Sequence, residues 1–135
     1  QGVEPERIVF APRVPQSEHL ARHARADLFL DTLPCNAHTT ASDTLWAGLP
    51  LLTCSGNSFA SRVAGSLLRT AGLAELVTSN LQDYEAKALQ LARSPDTLAA
   101  IRCRLEEGRA TNTLFDSTRY TRQLESAFLQ MLAPP

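Results

Sequence analysis

Short apolar runs alternate with polar turns and helical stretches through the first 80 residues, and beyond them the pattern is helical throughout. Ile8-Val9-Phe10-Ala11 is a continuous apolar run closed by Pro12, the pattern of a buried parallel strand. Arg13-Val14-Pro15-Gln16 reads as the loop at its C-terminal end, with Ser17 as N-cap and Glu18 to Arg25 as a short helix. Leu28-Phe29-Leu30 predicts a second strand. A polar stretch, Cys35-Asn36-Ala37-His38-Thr39-Thr40-Ala41-Ser42-Asp43, leads from it into a helix that Gly48 and Pro50 stop. Leu51-Leu52-Thr53-Cys54 predicts a third strand. A cap at Asn57 or Ser58 opens a helix from Phe59 to about Thr70, with Val63, Leu67 and Leu68 at helical spacing and Gly72 as its stop. Glu75-Leu76-Val77-Thr78 predicts a fourth, short strand.

Leu81 to Ala92 and Pro95 to about Gly108 carry apolar residues at helical spacing, with Pro95 placed in a first turn. Asp116 or Ser117 caps a last helix to about Leu132, whose stripe of Tyr120, Leu124, Ala127, Phe128 and Met131 is expected to pack, as is the Tyr84/Leu91 stripe. Strand–helix alternation implies an α/β fold: three to four parallel strands, right-handed crossovers, flanking helices and a helical C-terminal end. Residues 1–135 form one expected domain, with a βα part at 1–80 and helices at 81–135. Such a sheet is smaller than the usual five or so strands, so at least one edge is expected to lack its neighbour.

Composition narrows the function classes. The 44% hydrophobic content suffices for a core, and 13 Lys+Arg against 14 Asp+Glu leave a net charge of −1. No basic field argues for nucleic acid, and no apolar run reaches the roughly 18 residues of a membrane span. The cysteines Cys35, Cys54 and Cys103 show neither disulfide nor zinc spacing, which favours a reducing cytoplasmic setting. The polar start lacks an initiator Met and reads as the interior of a longer chain.

Ligands of open α/β sheets lie beyond the C-terminal ends of the strands. Three segments meet that condition: Val14-Pro15-Gln16 with His19 and Arg22, His38-Thr39-Thr40 with Asp43, and Ser55-Gly56-Asn57-Ser58. His19 and Arg22 share a helix face and suit a planar base. Thr39 and Thr40, beside the free amides of a helix N-terminus, suit a diphosphate. Asp43, one turn on, suits ribose hydroxyls. Simpler roles remain open for each: threonines as caps, His19 as a surface residue, Arg22 paired with Glu18, Asp43 complementing the helix dipole, Trp46 in the core. His38 has no visible partner to act as a base. No GxGxxG, P-loop or GxSxG pattern is present.

The run Asp31-Thr32, then Cys35 through Asp43 and on through Thr44-Leu45-Trp46-Ala47-Gly48-Leu49-Pro50, resembles the nucleotide-sugar motif of SPINDLY-like protein O-GlcNAc transferases. Arg7 to Phe10 with Pro15 and Glu18-His19, Phe59 to Ala64, Gly72-Leu73, and Leu114-Phe115-Asp116 with Tyr120 and Leu124-Glu125 extend the resemblance over nearly the whole chain. The resemblance implies half of the Rossmann-like C-terminal lobe of a GT-B glycosyltransferase, which binds UDP-GlcNAc. It places the backbone at Val14 and the side chains of His19 and Arg22 around uracil, Thr39 and Thr40 on the diphosphate, Asp43 on the ribose and His38 near the sugar–phosphate end. Gln16 stands where the family often has a nucleoside-contacting lysine, which leaves it a neutral hydrogen bond at most.

The implied activity is inverting transfer of GlcNAc to protein Ser/Thr hydroxyls, without metal or other cofactor; Asp27 and Asp31 do not form a DxD pair. No catalytic residue is assigned. A βαβ unit bearing a lysine and a glutamine for the diphosphate, the N-terminal lobe and the helical repeats with acceptor contacts are absent from this chain. The 135 residues alone are therefore expected to bind UDP weakly and transfer nothing. Fucose in place of GlcNAc is an alternative within the family. A non-catalytic interaction module, dimerising through a bare sheet edge, is the alternative of another class; a phosphate hydrolase lacks a nucleophile or metal set.

Overall fold

Leu51–Cys54 is the central strand, and every residue of it is buried. That accounts for its unbroken apolar character, because a central parallel strand is covered on both faces. In the computed structural model, which describes residues 2–132, helix α1 spans Gln16–Arg22, strand β1 Phe29–Leu30, α2 Thr39–Trp46, β2 Leu51–Cys54, α3 Val63–Thr70, β3 Val77–Thr78, α4 Leu81–Ala92, α5 Pro95–Gly108 and α6 Ser117–Leu132. The three strands are parallel in the order β1-β2-β3. Phe29 is in register with Leu51, and Thr53 with Val77. Asp31 N donates to Leu52 O at 3.0 Å and Ser55 N to Thr78 O at 2.8 Å, so the ladder extends to the strand ends where the loops begin.

Helices α2 and α3 pack on each other and on β2, while α4 packs on β2 and β3 and carries α5. The core joins Ala41 and Leu45 of α2, Leu51 and Leu52 of β2, Leu68 of α3, Leu91 of α4, and Ile101 and Leu105 of α5. Full burial of each leucine contributes about 1.5–3 kcal/mol. α2 presents Ala41, Thr44 and Leu45 inward, three and four residues apart, which leaves its first turn at the rim. Gly48 follows it at φ +81°, a conformation costly to residues with a Cβ, and turns the chain into β2.

Several expectations are corrected. Ile8 to Ala11 is not a buried strand: Val9 is 84% and Phe10 91% exposed. An apolar run becomes a strand only where a neighbour takes its backbone hydrogen bonds, and no described strand lies beside it. Ser17 does not cap α1; the helix begins at Gln16, and Pro15 precedes it without a side-chain cap. Residues 58–62 form turns rather than the first helical turn of α3, because Ser58 and Ser61 bond to each other and to each other's backbone. The fourth expected strand shortens to Val77–Thr78, with Ala74–Leu76 in a 3-10 turn. Trp46 is 44% exposed rather than core; it meets Phe115 edge-on and lies under the Arg109 guanidinium. The α6 stripe does not pack: no residue of α6 is buried among those described. Its amphipathic pattern calls for a covered face but does not specify the cover. Tyr84 and Leu91 do pack, against the core.

Candidate functional site

β1 ends at Leu30, and the next residue, Asp31, is buried. Its Oδ1 accepts from Thr32 N at 2.8 Å and Ala37 N at 2.7 Å, and its Oδ2 from Thr53 Oγ1 of β2 at 2.6 Å. Tyr84 of α4 donates its hydroxyl to Asp31 O at 2.9 Å. Burial first, then the Asp31 carboxylate, hold the Tyr84 phenol above its ordinary value. The loop from Thr32 to His38 is thus folded around one carboxylate; within it Leu33–Pro34 is cis. Asn36 secures the loop from the other side. Its Nδ2 donates to Thr32 O at 3.0 Å and Cys54 O at 3.4 Å, and its backbone N to Ala60 O at 2.9 Å. Asn36 Oδ1 is a buried side-chain atom with no partner among the described residues, which typically costs about 1–3 kcal/mol.

This loop delivers the chain to α2. His38 precedes the helix at φ −106°, ψ −86° and supplies no side-chain cap. Thr39 and Thr40 are exposed and lie inside the first turn, so they are not caps either. The first turn of α2 thus has no side-chain cap and carries two exposed threonines at the positive end of the helix dipole. Asp43 follows Thr39 by four and Thr40 by three residues, on the same side. His38 meets the segment before α3, its Nε2 3.3 Å from Ala60 O and its ring edge-on to Phe59 at 6.0 Å.

α1 completes the rim. Arg22 reaches back to donate to Pro12 O at 2.9 Å, which tethers the loop bearing Val14, and its other terminal nitrogen donates to His19 Nδ1. A guanidinium has no acceptor, so His19 Nδ1 is the lone-pair nitrogen and Nε2 carries the proton. That Nε2 lies 4.0 Å from Asp43 Oδ2, both side chains about three-quarters buried. His23 backs the pair. It is 7% exposed, donates Nδ1–H to His19 O at 2.8 Å and meets the His19 ring edge-on at 4.8 Å.

The structure therefore brings together His19, Arg22 and Asp43, with Thr39 and Thr40 one turn from Asp43. Gln16 is exposed at the start of α1, three residues before His19. Val14 and Arg22 also border a shallow hollow of about 750 Å³ with Val9, Pro12, Ala21 and Arg25, but no residue of 38–43 lines it. Ser55 to Ser58 closes on itself: a Cβ on Gly56 would meet Ser61 Oγ at 2.6 Å. Among the described residues, no three or more His, Cys, Asp or Glu are grouped to hold a metal ion, and no helix is long and apolar enough to cross a membrane.

Asp31, Asn36, His23 and Tyr84 have roles that no local pattern predicts. Asp31 followed by Thr-Leu-Pro signals a turn. Its distant partners, Ala37 N and Thr53 Oγ1, arise only from loop closure and strand pairing.

The family profile described as Glycosyl transferase family 41 matches residues 1–124. The chain is 42% identical over 132 residues to an Arabidopsis thaliana protein named "Probable UDP-N-acetylglucosamine--peptide N-acetylglucosaminyltransferase SEC", covering 97% of this chain and 14% of that one. It is 41% identical to the Caenorhabditis elegans UDP-N-acetylglucosamine--peptide N-acetylglucosaminyltransferase, covering 97% and 11%. A Petunia hybrida SPINDLY protein, likewise named an N-acetylglucosaminyltransferase, is 35% identical, with 96% and 14% covered. A solved lysine-to-methionine mutant of the Thermobaculum terrenum O-GlcNAc transferase superposes with a TM-score of 0.91 at 38% identity, over 96% of this chain and 25% of that one. The chain thus spans about a seventh or less of the length of these curated relatives.

Proposed function

Because this chain belongs to glycosyl transferase family 41, we propose that it is the UDP-sugar-holding half-lobe of a GT-B enzyme that transfers GlcNAc to Ser/Thr hydroxyls of proteins. The observation that carries the site is the meeting of α1 and α2 at His19 and Asp43, which puts base-suited and phosphate-suited groups on one rim. In this proposal the Val14 backbone, Gln16, His19 and Arg22 take the uracil nucleoside, Asp43 the ribose, Thr39, Thr40 and the α2 amides the diphosphate, and His38 the sugar–phosphate end. Every named relative reported above carries N-acetylglucosamine or O-GlcNAc in its name, including the SPINDLY protein, which favours that sugar over fucose.

The protein acceptor, an N-terminal lobe and helical repeats belong to the proposal, as does a cytoplasmic setting consistent with three free cysteines. So does a metal-free reaction. The Asp31 carboxylate that a DxD-type site would use is already taken by Thr32 N, Ala37 N and Thr53 Oγ1. The 135 residues alone bind UDP weakly and transfer nothing, because charge on a departing diphosphate meets only neutral donors and a helix terminus on α2.

Calorimetric titration with UDP tests the site. Wild-type chain binds; Thr39→Ala/Thr40→Ala loses about tenfold in affinity, roughly 1.4 kcal/mol, at unchanged melting temperature. Indifference of the wild type to UDP would overturn the proposal and favour an interaction module. The exposed α6 stripe, with Phe128 55% and Met131 79% exposed, is the observation on that side. Sedimentation then decides whether two copies dimerise.

A further inference from the structure

The α2 N-terminus can hold a diphosphate only if the chain entering it is fixed, and that entry is the loop from Thr32 to His38. A surface loop of this length is ordinarily held by its ends and by turn hydrogen bonds. This one has a carboxylate beneath it. Asp31 Oδ1 bonds the first amide of the loop, Thr32 N, and the amide five residues on, Ala37 N, immediately before His38. Asp31 Oδ2 is locked to Thr53 Oγ1, itself fully buried on the central strand. Tyr84 pins the Asp31 carbonyl from α4. The carboxylate is thus bonded both to the sheet and to the last turn of chain before the helix.

We propose that Asp31 is a positioning residue for the phosphate end of the site: it sets where the first-turn amides of α2, and the Thr39 and Thr40 hydroxyls with them, stand relative to the nucleoside held by α1. The inference rests on the UDP-binding proposal above. Asp31 is buried beneath the loop, and its carboxylate is taken up by donors of the protein itself. Hydrogen bonds that backbone amides donate to a carboxylate are shorter and stronger than those to neutral acceptors, which suits a loop that must keep one geometry. The nucleoside end makes no bond to this loop: Asp43, a turn further into α2, meets His19 of α1 instead. His19, Arg22 and the Val14 loop are held by one another, by Pro12 O and by His23.

That separation sets the test, made in the full natural chain by titration with UDP and with uridine. Asp31→Ala is expected to lower UDP affinity tenfold or more and uridine affinity less than twofold. Asp31→Asn retains an acceptor for both amides and is expected to recover UDP affinity to within about threefold of wild type. Thr53→Val, nearly isosteric, frees Oδ2 and is expected to cost UDP about threefold while sparing uridine. A merely structural role would lower both ligands together, so equal losses, or no loss in a folded Asp31→Ala chain, overturn the proposal. Should Asp31→Ala fail to fold, the UDP-to-uridine ratios of Asp31→Asn and Thr53→Val decide it. A wild-type chain that ignores UDP sinks the functional proposal instead, a separate outcome.

Discussion

His19 Nε2 stands 4.0 Å from Asp43 Oδ2, although the two residues lie on different helices and 24 positions apart. The Arg22 guanidinium on His19 Nδ1 fixes the tautomer that points N–H at the carboxylate. This contact joins the two halves of the proposed nucleotide site.

Removing either partner is expected to weaken UDP binding about tenfold, or 1.4 kcal/mol. His19→Ala and Asp43→Ala should be less than additive in combination, because groups in contact couple. Calorimetry on the two single variants and the double variant measures this; strict additivity would mean that the two act independently.

Gly48→Ala tests the turn that joins the site helix to the central strand. The glycine sits at φ +81°, and an added Cβ would meet Glu106 Cγ at 3.3 Å. A left-handed residue with a Cβ costs roughly 1–2 kcal/mol. Denaturant unfolding should show a loss of that size, and an unchanged midpoint would contradict the backbone assignment.

Leu45→Ala removes a side chain that is 1% exposed and joins α2 to the core beneath the site. Large-to-small changes of this kind cost about 2–5 kcal/mol. Thermal unfolding followed by circular dichroism should place the loss in that range.

Tyr84 supplies a pH dependence. Its hydroxyl donates to Asp31 O, and burial followed by the nearby Asp31 carboxylate raises its pKa above 10.0. A folded pKa above the unfolded one means that the unfolded chain loses the proton first. The stabilisation is therefore complete below pH 10.0 and is lost as pH rises through the folded value. Melting temperature should fall on the alkaline side. Tyr84→Phe should flatten that fall and cost about 1 kcal/mol at neutral pH.

Much of this fold is legible in local pattern. β2, α4 and α5 begin and end where apolar periodicity, Pro95 and the glycines place them, because those signals act over a few residues. The cap of α4, Asn80 accepting from Asp83 N, came only from the structure. Ile8 to Ala11 and the α6 stripe misled for one reason: hydrophobicity says that a segment is fit to be covered, whereas burial depends on a partner that periodicity does not name. The candidate site divides the same way. Its chemistry, a histidine and an arginine on one helix and two threonines and an aspartate on another, was determined by the sequence alone. Only the tertiary structure decided that His19 meets Asp43 and that Asp31, outwardly the end of a strand, anchors the loop between them. Helix and strand propensities are local, but the partners of a buried carboxylate are chosen by chain closure.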